Sequence, residues 1–180
     1  MSDNRMHFIA FEGKVRIILS GISNLDSIAG MMNHVFNASE IVFELKPDFH
    51  ESDNCISDIA VMSAATGENI NEMADREAII GRLKVIAANI SEGGTLVYYY
   101  DDEALRDIAD GARDDIKKVP FRMHGHFQNK LGIFAATHNR TVPVKFTGDD
   151  NMKSLSAVRE ACLAAGVSED DFYLAIKSFD

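Results

Sequence analysis

Val15-Arg16-Ile17-Ile18-Leu19-Ser20-Gly21-Ile22-Ser23-Asn24-Leu25-Asp26-Ser27-Ile28 is the stretch that decides the fold. Its first six residues form an aliphatic run that ends at a glycine, which predicts a buried β-strand. From Leu25 onward the period changes: Ile28, Met32 and Val35 lie on one helical stripe through residue 36. A buried strand that turns through a glycine-led loop into a helix is the opening of an open α/β sheet. In such sheets ligands bind at the carboxyl ends of the strands, often against a helix N-terminus. The candidate ligand-binding positions here are Gly21, Ser23, Asn24, Asp26 and Ser27.

Further strands are predicted at Met6–Phe11 upstream and at Ile41–Leu45 and Ile59–Ser63 downstream. A helix is expected over roughly 74–90, with Ile79, Leu83, Ile86 and Ile90 on one stripe and Gly93-Gly94 as its stop. Thr95–Tyr100 is a strong strand, and Asp101-Asp102 offers an N-cap for a helix carrying Leu105, Ile108 and Ala109. Beyond Gly111 the runs Val119–Met123, Lys130–Ala136 and Thr141–Phe146 are short and alternating, as in a small antiparallel sheet at about 118–147. Gly148-Asp149-Asp150 opens a helix with Leu155, Val158, Cys162 and Ala165 inward and Gly166 at its end; Ser168 caps a last helix carrying Leu174 and Ile176. The order predicts an α/β fold: a mainly parallel sheet flanked by helices, with an antiparallel β appendage, in one domain spanning 1–180.

The chain has 180 residues with 18 Lys plus Arg against 28 Asp plus Glu, a formal charge of -10. Divided at the middle it carries -6 in residues 1–90 and -4 in 91–180, so the acidity is spread along the chain. With no basic tract, neither nucleic acid nor an anionic membrane is an expected partner. Cys55 and Cys162 are far apart and form no C-x-x-C, so no zinc site or disulfide framework is implied. No apolar run reaches signal-peptide or membrane-spanning length, and the expected location is cytoplasmic.

Here the sequence resembles the central, ATP-binding domain of the Mur ligases, the ATP-dependent amide-forming ligases that build the peptide of peptidoglycan precursors. The branch it looks most like comprises UDP-N-acetylmuramate–alanine ligase and murein-peptide ligase. The family has a strand, then G-T-x-G-K-T-T, then a helix often reading S-M-x-x-H-V. Gly21 falls at the first glycine, Asn24 at the second, Leu25 at the lysine and Asp26-Ser27 at the threonines, with Gly30-Met31-Met32-Asn33-His34-Val35 continuing the helix. Glu44 falls at the acidic residue ending the family's next strand, and Asp58-Ile59-Ala60-Val61-Met62-Ser63 is similar to its D-I-A-V-I-T strand. Glu92-Gly93-Gly94-Thr95-Leu96-Val97-Tyr98 with Asp101-Asp102 resembles P-G-G-T-L-V-Y-N-x-D-D, and Gly148-Asp149-Asp150-Asn151 stands where the family has G-x-H-N. The resemblance runs from about residue 14 to 180. It implies that Glu44 and Glu68, the latter at the family's acidic-His pair, are candidate metal ligands, and that Asn151 joins the nucleotide site.

The departures from the pattern point away from catalysis. A phosphate loop works through backbone N–H groups, a lysine on the β/γ-phosphates and a Ser/Thr hydroxyl on Mg²⁺. Leu25 removes the cation, Asp26 places an anion at a hydroxyl position, and Asn24 replaces a glycine that lets the backbone approach phosphate. Like charges about 4 Å apart repel by roughly 4 kcal/mol at an effective dielectric near 20. Asp26 is either a metal ligand or a plain helix-start residue. His124 and His126, at strand spacing, are either a metal pair or solvent-facing side chains. The family's UDP-sugar-binding and C-terminal domains have no counterpart within residues 1–180. The expectation is therefore a degenerate Mur-ligase central domain with no catalytic residue and no cofactor, acting in binding or assembly as a homo-oligomer or with a cell-wall ligase. The alternatives are a divergent ligase domain using ATP and Mg²⁺ with flanking domains supplied in trans, or a weak nucleotide-sensing module.

Overall fold

The computed structural model describes residues 14–20, 25–39, 41–47, 56–64 and 73–179, with the backbone alone for 46, 47 and 73–75. The strand expected at Met6–Phe11 lies outside them. Five strands, β1 (Val15–Ser20), β2 (Phe43–Pro47), β3 (Ser57–Met62), β4 (Ile90–Tyr99) and β5 (Lys117–Phe121), form an all-parallel sheet in the order β2-β1-β3-β4-β5. Side chains alternate across it. Ile17, Leu19, Ile59, Val61 and Val97 pack on one face against α1 (Leu25–Ala38), α4 (Asp149–Ala164) and α5 (Glu169–Ile176). Ile18, Ala60, Met62, Leu96 and Tyr98 pack on the other against α2 (Met73–Ala88) and α3 (Glu103–Asp110). Where both faces are covered, in β1, β3 and the second half of β4, the strands are near-continuous apolar runs rather than polar–apolar alternations. Each fully buried aliphatic side chain contributes about 1.5–3 kcal/mol.

The small second sheet is antiparallel: β6 (His126–Asn129), β7 (Gly132–Ala136) and β8 (Thr141–Val144), in that order. Its extent corrects the sequence reading. The run beginning at Val119 pairs in parallel with β4, Val97 opposite Val119, and completes the large sheet as β5, whereas the appendage starts at His126. The polar run His126-Phe127-Gln128-Asn129 carried too weak an apolar signal to be seen as a strand.

A second difference concerns the glycine pair. α2 ends at Ala88 and a turn at Asn89 leads directly into β4, so Ile90, Gly93 and Gly94 are strand residues and not the tail of a helix. The β3–β4 register shifts between Ser57 and Ile59. At the irregularity a Cβ on Gly94 would sit 2.5 Å from Ile90 Cγ2 and 2.7 Å from the Asp58 carbonyl oxygen. Gly94 is there because two backbones approach too closely for any side chain.

Beside it, the buried Asp58 carboxylate joins three strands. It accepts from the Arg16 backbone N–H (2.9 Å), Arg16 Nε (3.1 Å), Arg16 Nη2 (2.7 Å) and Ser91 Oγ (2.7 Å). Burial pushes its pKa up, but the hydrogen bonds from Arg16 and Ser91 outweigh that and hold the group below the ordinary carboxylate range. This network lies at the amino ends of the strands, away from the edge where α/β sheets bind ligands. Among the described residues no helix is long and apolar enough to cross a membrane.

Candidate functional site

The carboxyl edge of the sheet is formed by the ends of β1, β3, β4 and β5, the first turn of α1 and the first turn of α4. The ends of β1 and β3 are tied by the Ser63 N–H donating to the Ser20 carbonyl at 3.0 Å. Gly21, Ser23 and Asn24, which connect β1 to α1, lie outside the described residues, as does Glu68. The first turn of α1 is described. Leu25 packs its side chain against the hydrophobic core, Asp26 is exposed, and Ser27 is half-buried with its hydroxyl donating to Asn151 Oδ1 at 3.2 Å. Asn151 in turn donates from Nδ2 to the Thr147 carbonyl at 2.8 Å, which fixes the entry of α4. The fold thus joins two of the residues singled out from the sequence, Ser27 and Asn151, although they are 124 positions apart.

Glu44 is not brought to them. It is the second residue of β2, opposite Arg16 in the amino half of the strand pair, and its carboxylate lies 3.0 Å from Lys14 Nζ. A reading that placed it at a strand end was off by the three residues of β2 that follow it. Among the described residues no group of three His, Cys, Asp or Glu side chains is arranged to hold a metal ion. The histidine pair also separates. His124 lies between β5 and β6 and is buried, with Nδ1 3.2 Å from Ser156 Oγ and Nε2 3.3 Å from the Tyr173 hydroxyl. His126 is in β6 with Nδ1 3.3 Å from the His124 carbonyl oxygen. Burial first, and then the Arg159 charge, lowers the His124 pKa. Three polar side chains from a loop, α4 and α5 form a fastening inside the core. Strand spacing between the two histidines concealed this, since no local signal marks Ser156 and Tyr173 as partners.

The rest of the edge is acidic. Asp149 and Asp150 occupy the first turn of α4, and Asp102 caps α3 by accepting from the backbone N–H groups of Ala104 (3.0 Å) and Leu105 (3.3 Å). Asp101 pairs with Arg122 at 3.4 Å. Ser154, where a second asparagine is usual in the family, donates to the Asp150 carbonyl at 2.9 Å and is buried within the helix. At the β4 end stands Lys153, whose ammonium sits 3.7 Å from the centre of the Tyr99 ring. Burial lowers its pKa, opposed by Asp102, Asp150 and Asp101. A lysine lying on an aromatic face among carboxylates was not foreseen from the sequence, because only the fold places α4 over the end of β4.

No family model matches the chain, and no curated protein matches its sequence. Solved structures do. MurF from Acinetobacter baumannii superposes with a TM-score of 0.76 at 14% identity, covering 94% of this chain and 46% of that one. UDP-N-acetylmuramate:L-alanyl-gamma-D-glutamyl-meso-diaminopimelate ligase from Neisseria meningitides gives 0.69 at 14% identity, covering 93% of this chain and 66% of that one. The UDP-N-acetylmuramate-alanine ligase MurC from Thermotoga maritima gives 0.65 at 13% identity, covering 93% and 45%. The chain spans about half the length of the MurF and MurC chains it superposes on. At these identities the likeness is one of architecture, and the chain carries a Mur ligase-like fold.

Proposed function

We propose that this chain is a Mur-ligase-like domain that keeps the fold, does not drive ATP-dependent ligation, and acts in the cytoplasm in binding or assembly. The observation that carries this reading is the first turn of α1. The side chain at the family's lysine position, Leu25, is turned into the core, and the next position presents an exposed carboxylate. The Ser27 hydroxyl, in the place of a magnesium ligand, is engaged by Asn151. Donation to Asn151 leaves the Ser27 oxygen lone pairs open, so the defects are the apolar residue and the anion, which do not suit a nucleoside triphosphate and its metal ion. The exposure of Asp26 also tempers the repulsion argued from sequence. Solvent screening moves it from roughly 4 kcal/mol toward the value of about 1 kcal/mol in water, which is about a fivefold loss and not a thousandfold one. The missing lysine is then the larger defect.

Calorimetric titration with Mg-ATP tests this: no binding heat is expected at millimolar nucleotide, and a micromolar Kd would overturn the reading. Leu25→Lys with Asp26→Thr should bring binding into the measurable range if these two residues cause the loss. A second reading, a weak nucleotide-sensing module, draws on the Ser27–Asn151 bond, which keeps two family-type polar residues together at the carboxyl edge. It requires ATP binding that Asn151→Ala abolishes. Working as a ligase with other domains in trans would require amide-bond formation in a reconstituted assay with ATP and Mg²⁺.

A further inference from the structure

The even acidity obtained by halving the chain hides a sharp segregation. Between residues 116 and 148 there is no Asp or Glu, while Lys117, Lys118, Arg122, Lys130, Arg140 and Lys145 are all there, together with three histidines. This segment, which contains β5 and the whole second sheet, carries a formal +6 in a chain of -10, so the remainder carries -16.

Among the described residues, none packs over the outer face of the second sheet. Ile133, Ala135, Val142 and Val144 point into the core. Strand alternation sends Phe127, Phe134 and Pro143 the other way, and the register sets them side by side across all three strands. The Phe127 and Phe134 rings stack at 5.3 Å between centres with 14° between planes, and Phe127 is 43% exposed. Leu131, at the β6–β7 turn, is 87% exposed beside the exposed Lys130. Two of the cations already face acids of the main body: Arg122 meets Asp101, and Arg140 meets Asp170 of α5 at 2.5 Å. Outward on this face lies an aromatic and aliphatic row with the exposed Lys130 at its margin.

The described residues also offer a matching surface. α5 opens with the exposed Glu169, Asp170 and Asp171, which within the molecule already face Arg159, Arg140 and Ser168, and one turn later it carries Leu174, 71% exposed. Asp170 and Asp171 lie four and three positions before Leu174, so acid and leucine share one helical face. The Arg140–Asp170 pair shows that sheet cations and α5 acids pair within one molecule. We propose that the outer face of the β6-β7-β8 sheet docks the acidic, leucine-bearing face of α5 of a second copy of this chain. The aromatic row receives Leu174, and Lys130 lies against the first-turn carboxylates. An oligonucleotide is the less suitable occupant, because the row is mostly apolar and a long polyanion crossing it would run onto the acidic body. The contact is between unlike surfaces, so it closes as a reciprocal pair or continues as a ring or chain.

Sedimentation equilibrium of the full chain tests this. The apparent mass should rise with concentration up to roughly 100 µM, the range expected of a small interface. Leu131→Asp and Leu174→Lys alter strongly exposed side chains, and thermal melts should show both variants folded. Each alone should weaken association at least tenfold. An equimolar mixture should recover association, because one variant retains an intact helix face and the other an intact sheet face. A monomeric wild type, association that survives both substitutions, or a mixture that stays monomeric would each overturn the proposal. So would a monomeric wild type that binds a thymidine oligonucleotide.

Discussion

Substituting Asp58 with alanine should cost about 2–3 kcal/mol. The Asp58 side chain is 11% exposed and its carboxylate accepts four hydrogen bonds from β1 and β4. Its removal leaves the Arg16 N–H, the Arg16 guanidinium and the Ser91 hydroxyl seeking other partners. Breaking a buried ion pair by deleting one member costs about 3–5 kcal/mol. Arg16 retains 28% side-chain exposure and can partly rehydrate, which places the effect below that range. With a urea slope of about 1–3 kcal/mol/M, the denaturation midpoint should fall by roughly 0.7–3 M at unchanged slope. Arg16→Met should cost less, because Asp58 then keeps the backbone N–H and Ser91. The pH dependence has a fixed sign. The folded carboxyl titrates below its unfolded value near 3.9, so its contribution is complete above that value and lost as pH falls through the folded pKa. The gap between wild type and Asp58→Ala should therefore be full at pH 7 and narrow below about pH 4. A loss under about 0.5 kcal/mol, or Arg16→Met costing more than Asp58→Ala, would refute the view that the carboxylate is the hub of the three strands.

Two further outcomes follow from buried groups. The folded His124 pKa is lowered, so the unfolded chain takes up the proton first and stability should decline as pH drops through about 6.5. His124→Gln should flatten that decline between pH 7.5 and 5.5 in urea melts, while losing about 1–3 kcal/mol at pH 7.5. Gly94→Ala should cost roughly 3 kcal/mol, since its Cβ would press on two backbone oxygens and Ile90; Gly81→Ala, where nothing lies within 4 Å, should be neutral or stabilising in the same melts.

The large sheet was legible because its strands are buried on both faces: Val15–Ser20, Ile59–Met62 and Thr95–Tyr99 announce themselves as apolar runs, and Asp102 and Ser168 as caps. Elements with one open face were less visible. β6 is mostly polar, and the start of β4 runs through two glycines and a glutamate, so neither bore a strand-like pattern. Composition taken over halves of the chain also averaged away the basic segment. At the candidate site, Ser27 and Asn151 could be picked out singly as polar residues at two helix starts, but only packing of α1 on α4 joins them. The Lys153–Tyr99 contact and the His124–Ser156–Tyr173 fastening depend wholly on tertiary placement and have no periodicity to betray them.

The two faces of the large sheet also differ in when they can form. The layer of α2 and α3 is laid down, apart from Ile18 of β1, by residues close to the strands they cover, from Ser57 to Ile116. The layer of α1, α4 and α5 requires segments over a hundred positions apart, as the 124-residue span of the Ser27–Asn151 bond and the 141-residue span from His34 to the Ala175 carbonyl show. Local contacts close early, and distant ones wait on a larger loss of chain entropy. On the ribosome α1 emerges long before α4 and α5, so Met31, Met32 and Val35 stay only partly covered by the early strands until residues 149–176 have been made, while Phe36 already has Phe43 of β2 beside it. The apolar stripe of α1 is therefore where this chain is most open to aggregation during synthesis and most in need of a chaperone.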